Sequence, residues 1–94
     1  MDINILAADS HVLKKDDLIV ITGAGGFIGA SLVRYFHEHG FTHIRAVDKK
    51  PLPHWFQLVT GVESLCMDLS EKENTIKSVA GAVEVYNLAA DMGG

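Results

Sequence analysis

The eight residues TGAGGFIG (Thr22–Gly29) constrain the fold more than any other stretch of the chain. They follow DLIVITG (Asp17–Gly23), a short β-branched apolar run patterned as a strand covered on both faces. They lead into Phe27–His39, where Ile28, Leu32, Val33 and Phe36 recur at the spacing of one helical face. Gly40 stands beyond as a C-cap, with His37 and His39 in the last turn. Parsed as G-x-G-x-x-G the turn fails, because Ile28 holds the sixth position; parsed as G-x-x-G-x-x-G it fits Gly23, Gly26 and Gly29. Each glycine answers a different demand. Gly23 lets the backbone leave the strand in a tight turn. Gly26, without a Cβ, lets a pyrophosphate reach the helix N-terminus, where free N–H groups and the helix dipole favour negative charge. Gly29 lets helix and strand pack closely. A strand–turn–helix context is what separates a dinucleotide site from a merely structural glycine turn. The phosphate-binding segment expected here is Gly23, Ala24, Gly25, Gly26, Phe27, Ile28 and Gly29.

The remaining pattern extends this unit. HIRAVD (His43–Asp48) reads as a second strand, and the link Lys49–Gly61 starts extended at Pro51 and Pro53, with a helical turn expected over His54–Val59. VESLCMDL (Val62–Leu69) reads as a third strand. Ser70 with Glu73 has the spacing of a capping box, and Ile76, Val79 and Ala80 supply the face of a second helix that Gly81 ends. VEVYNLAA (Val83–Ala90) is the fourth strand. The order β-α-β-β-α-β predicts an α/β fold with a parallel, covered sheet and right-handed crossovers. Residues 1–16 read as an irregular lead-in, and 17–94 as one incomplete domain.

Three further places bear chemistry. Asp48 ends the second strand about 20 residues after the glycine turn, where a carboxylate accepts hydrogen bonds from ribose hydroxyls; the plainer reading is an exposed strand-end acid. Asp68 closes the third strand, either to accept from an adenine amino group or to cap the helix that follows. Leu88, Ala89 and Ala90 bring small side chains past a cofactor, or simply pack the core. A 2′-phosphate beside Asp48 meets like-charge repulsion, so NAD is expected over NADP; Lys49 and Lys50 oppose this only if they fold back.

Composition removes other classes. The formal net charge is −4 with no basic block, which argues against nucleic acid and against an anionic membrane surface. No run approaches 18 apolar residues, and the first residues lack a positive n-region, so the cytoplasm is the expected compartment. Cys66 is the single cysteine, read as a small buried hydrophobe. The histidines have no metal-ligand spacing, so no metal site is expected, and Trp55-Phe56 reads as a lid over the core.

With TGAGGFIG, VD, MDL and NLAA in this order and spacing, Asp17–Gly94 resembles the extended short-chain dehydrogenase/reductase superfamily, the NAD-dependent sugar epimerases and dehydratases. The resemblance implies the amino-terminal half of a Rossmann-type doubly wound sheet, strand order 3-2-1-4, with NAD as cofactor. It places the pyrophosphate on Gly23–Gly29, the ribose on Asp48 and the adenine on Asp68. NLAADMGG (Asn87–Gly94) resembles the GDP-mannose 3,5-epimerase family more particularly, although the glycine turn there commonly ends in alanine where this chain has Gly29. In that family the run leads into the substrate loop, which implies that Gly93 and Gly94 line a nucleotide-sugar site. The superfamily's catalytic Y-x-x-x-K is not met: Tyr35 and Tyr86 are followed four residues later by His39 and Ala90. The expectation is a catalytically incomplete piece of an epimerase that is a homodimer when whole. A dehydratase, a reductase or a non-catalytic dinucleotide-binding module is the alternative.

Overall fold

The computed structural model describes residues 12–89. The elements are β1 (Ile19–Thr22), α1 (Phe27–Glu38), β2 (Ile44–Asp48), a 3-10 turn (Leu52–His54), β3 (Glu63–Cys66), α2 (Lys72–Val79) and β4 (Glu84–Asn87). The four strands form one sheet in the order β3-β2-β1-β4, with every neighbouring pair parallel. This is the expected half of a doubly wound α/β sheet.

Alternation along the two inner strands sorts the core into two layers. Ile19 and Ile21 of β1, with Ile44 and Ala46 of β2, pack with Val33 and Phe36 of α1 and with Trp55. Leu18, Val20 and Val47 point the other way, with Leu69 and, partly buried, Val79 of α2. Helices therefore cover opposite faces, and β1 is buried along its whole length. A strand of this kind has to be apolar on both sides, as IVIT is. Each fully buried Ile or Val contributes about 1.5–3 kcal/mol of transfer free energy.

Polar anchors fasten the second helix. Arg45 on β2 donates from Nε to Glu63 Oε1 at 2.9 Å and from Nη1 to Ser78 O at 2.9 Å and Ala80 O at 3.3 Å. One guanidinium thus joins β2, β3 and the carbonyl end of α2, where positive charge is favoured by the helix dipole.

Several expectations need correction. All four strands are shorter than their apolar runs. Ile28 does not belong to the buried face of α1, which is Gly29, Ala30, Val33 and Phe36. The capping box does not form: Glu71 is the N-cap of α2 and makes no side-chain cap bond, while the Ser70 hydroxyl turns back to Asp68. In α2 the fully buried residue is Ser78, whereas Ile76 is exposed. The helical turn after β2 lies at Leu52–His54 rather than His54–Val59. Cys66 is exposed at the end of β3, which is an edge strand of the sheet. Trp55 is part of the core itself, while Phe56 is exposed.

Candidate functional site

At the carboxyl ends of the four strands lies a crevice of about 310 Å³. Its walls are Gly23 and Gly26 of the glycine turn, Asp48 with Lys49 and Lys50 after β2, Met67, Asp68 and Leu69 after β3, and Leu88 and Ala89 after β4. In open α/β sheets this is where ligands bind, outside the strand ends where the order reverses. Here the reversal is between β1 and its two neighbours, β2 and β4.

The glycine turn is built from close approaches. Gly23 has φ +74°, and a Cβ there would stand 2.6 Å from the Leu88 carbonyl carbon and 2.8 Å from Ala89 N. Strand β4 therefore reaches the crevice only because residue 23 is glycine. Gly29 packs against Gly23 O and Ala24, so its missing side chain brings the first turn of α1 onto the glycine turn itself rather than onto the strand. Gly26 is different: a Cβ would meet only Gly23 O at 3.7 Å, and beyond that is open crevice. Gly26 is also the N-cap of α1 and offers no side-chain oxygen to the first-turn N–H groups. Those donors are left for a ligand, and a phosphate satisfies them best.

Gly25 has a role that the spacing of the glycines did not reveal. It is buried, with its N–H donating to Asp48 Oδ2 at 2.9 Å and its carbonyl accepting from Phe56 N–H at 2.8 Å. Asp48 Oδ1 accepts from the Lys50 N–H at 3.0 Å. Both carboxylate oxygens are thus held by backbone donors, each with a lone pair to spare for a diol.

Asp68 does not cap the helix that follows, whose N-cap is Glu71; its carboxylate serves the turn before it. It lines the crevice, and Oδ1 accepts from the Ser70 hydroxyl at 2.7 Å and from the Ser70 N–H at 3.0 Å. Those two bonds, the hydroxyl's first, hold its carboxyl below the usual carboxylate value of 3.8; nearby Lys49 adds to the effect and desolvation opposes it. The group is an anion at neutral pH and only an acceptor.

Six sequence candidates, Gly23, Gly26, Asp48, Asp68, Leu88 and Ala89, come together around one crevice. Ala24, Gly25 and Gly29 are buried behind it, and the side chains of Phe27 and Ile28 are exposed without lining it. Ala90, Gly93 and Gly94 lie outside the described residues. Met67 and Leu69 are lining residues that motif reading passed over; their signal was adjacency to Asp68 at a strand end. Neither Tyr35 nor Tyr86 reaches the crevice. Among the described residues no cluster of His, Cys, Asp or Glu is arranged to hold a metal ion, and no helix is long and apolar enough to cross a membrane.

Residues 19–94 match the family described as NAD dependent epimerase/dehydratase. GDP-mannose 3,5-epimerase 1 of Oryza sativa subsp. japonica is 42% identical over 76 residues, which is 81% of this chain and 20% of that protein. GDP-mannose 3,5-epimerase of Arabidopsis thaliana is 41% identical over the same shares. The chain spans about a fifth of the length of these relatives. Among solved structures, a short-chain dehydrogenase/reductase superfamily protein from Agrobacterium tumefaciens with bound NAD aligns with a TM-score of 0.64 at 25% identity, over 78% of this chain and 20% of its own.

Proposed function

The chain belongs to the NAD dependent epimerase/dehydratase family, and from that premise we propose that it is the cofactor-binding part of a nucleotide-sugar epimerase acting on GDP-mannose. Residues 17–94 would then be the amino-terminal part of its NAD-binding domain, with 1–16 a lead-in. The intact enzyme is proposed to be a cytoplasmic homodimer. The observation that carries this is the convergence of the glycine turn, Asp48, Asp68 and the Leu88-Ala89 segment on one crevice.

The residues fit NAD on geometric grounds. The open face of Gly26 and the uncapped start of α1 receive the pyrophosphate. The Asp48 carboxylate, pinned by two backbone amides, turns its free lone pairs to the ribose hydroxyls. Asp68, kept ionised by Ser70, accepts from the adenine amino group. Leu88 and Ala89 provide an apolar wall. Gly93 and Gly94 follow β4 in sequence and are assigned to the sugar-nucleotide loop.

Bound NAD supplies the hydride acceptor that oxidises a sugar hydroxyl and later returns the hydride. This chain's share is to bind and orient: it holds the adenosine half by charge-assisted bonds. A dehydratase or reductase of the same family would use these residues in the same way, so the substrate assay chooses between them. Epimerisation next to a transient ketone exchanges the sugar's C–H proton with solvent. Incubating the intact enzyme and NAD with GDP-mannose in D₂O should place deuterium at the epimerised carbon. NAD binding without deuterium incorporation would remove the epimerase assignment and leave the cofactor site.

A further inference from the structure

Trp55 is the one tryptophan of the chain and is almost wholly buried, yet its indole is spent on the loop that edges the crevice. Its Nε1–H donates to Lys50 O at 2.7 Å across the 3-10 turn. Its ring edge lies 3.1 Å from the place a Gly25 Cβ would occupy, beside the Asp48 carboxyl at 3.0 Å. The neighbouring Phe56 N–H takes the Gly25 carbonyl, and the Lys50 N–H takes Asp48 Oδ1. The contacts close a ring: Asp48 to Lys50, Lys50 to Trp55, Trp55-Phe56 to Gly25, and Gly25 back to Asp48.

We infer that Trp55 is a positioning residue for cofactor selectivity, holding the Asp48 carboxylate in the one orientation that accepts a ribose 2′-hydroxyl and repels a 2′-phosphate. The inference rests on the NAD reading of the crevice. For NADP to enter, Asp48 must turn aside. With the ring closed, turning it breaks the bonds from the Gly25 and Lys50 N–H groups, and the indole bond to the Lys50 carbonyl keeps the second of those donors in place. The turn loses hydrogen bonds that the phosphate does not replace at the same positions. Open the ring, and Asp48 turns more easily while the 2′-hydroxyl loses a fixed acceptor.

The test is the ratio of NADP to NAD dissociation constants, measured by calorimetry on the intact enzyme and on its Trp55→Phe variant. Phenylalanine keeps an aromatic ring and removes the N–H. The ratio should fall about fivefold, the worth of one net hydrogen bond. A ratio is unaffected by the fraction of molecules folded, so a general loss of stability does not imitate the result. Combined with Asp48→Ala, which removes the group through which Trp55 acts, Trp55→Phe should shift the ratio no further. Gly25→Ala attacks the same ring with the indole in place, because its methyl group forces Asp48 and Trp55 apart, and should move the ratio in the same direction. An unchanged ratio in Trp55→Phe and Gly25→Ala, or an equal shift with and without Asp48, would overturn the proposal while leaving the NAD site standing. Failure of the unaltered protein to bind either dinucleotide would overturn both.

Discussion

At the scale of single residues, the glycines of the turn divide by what stands where a side chain would be. Gly23→Ala meets a positive φ and three backbone atoms of Leu88 and Ala89 within 2.8 Å, so either the turn or the segment after β4 must move. Strain of this kind costs on the order of 1–3 kcal/mol. Gly26→Ala meets nothing closer than 3.7 Å and should alter stability by less than about 0.5 kcal/mol, while its methyl group occupies the crevice. Thermal melts and NAD titrations of the two variants should therefore separate: the first loses stability, the second loses affinity. Gly29 belongs with Gly23, since any Cβ there runs into Gly23 O and Ala24. Tyr86 offers a pH-dependent readout. Burial first, then the charge of Glu84 and a 3.3 Å hydrogen bond to it, raise its phenol above the ordinary 10.0. A raised folded value means that this contribution to stability is complete below pH 10.0 and is lost as pH climbs through the higher folded value. Absorbance at alkaline pH should show Glu84→Gln lowering the titration midpoint of Tyr86; no change would remove Glu84 from the cause.

At the scale of elements, Arg45 shows how one side chain can decide whether a helix docks. Its guanidinium is mostly buried and satisfies the last carbonyls of α2 while pairing with Glu63. Arg45→Met keeps the stem and leaves Ser78 O and Ala80 O without their donor. Charged hydrogen bonds are worth about 1.5–3 kcal/mol each, and partial exposure of the pair brings the expected loss toward the lower figure. Chemical denaturation measures it, and a loss below about 0.5 kcal/mol would show that water replaces the guanidinium. None of this was visible in HIRAVD, where Arg45 looks like an ordinary polar interruption. What was visible follows a rule: periodicity and glycine spacing report backbone needs that are local. The elements, their order and the parallel sheet were legible because IVIT and the turn after it admit few alternatives, while the strand order 3-2-1-4 came from the family resemblance. Contacts between distant segments were not. Ser70 bonding Asp68 instead of capping α2, and Gly25 donating to Asp48, depend on what the chain brings alongside. The exposure of Ile28, Ile76 and Cys66 has the same origin, since apolar spacing marks a candidate face and only packing decides whether it is covered.

At the scale of the whole molecule, the two edges of the sheet differ in how they are finished. On one side β3 carries Glu63, which Arg45 neutralises, and Cys66, whose Sγ lies 3.4 Å from Lys49 O. On the other side β4 pairs with β1 through Ile19↔Glu84 to Thr22↔Asn87, and no described strand lies beyond it. Val85 shares the face of Val20, but it remains 43% exposed where its partner is fully buried; Val83 and Leu88 are similarly open. An apolar strand with free N–H and C=O groups along one side is a template for pairing with another strand. The 94-residue chain expressed by itself is therefore expected to self-associate through β4, and to bind NAD weakly, because the Leu88-Ala89 wall of the crevice hangs from that same strand. Sedimentation velocity over a range of concentrations checks the first point. Val85→Lys, which sets a charge on the open edge without touching the glycine turn, should shift the population toward monomer, as lysine does on natural edge strands. A chain that is monomeric at high concentration without that change would show β4 to be covered in solution, and a lysine variant that still associates would place the contact elsewhere on the surface.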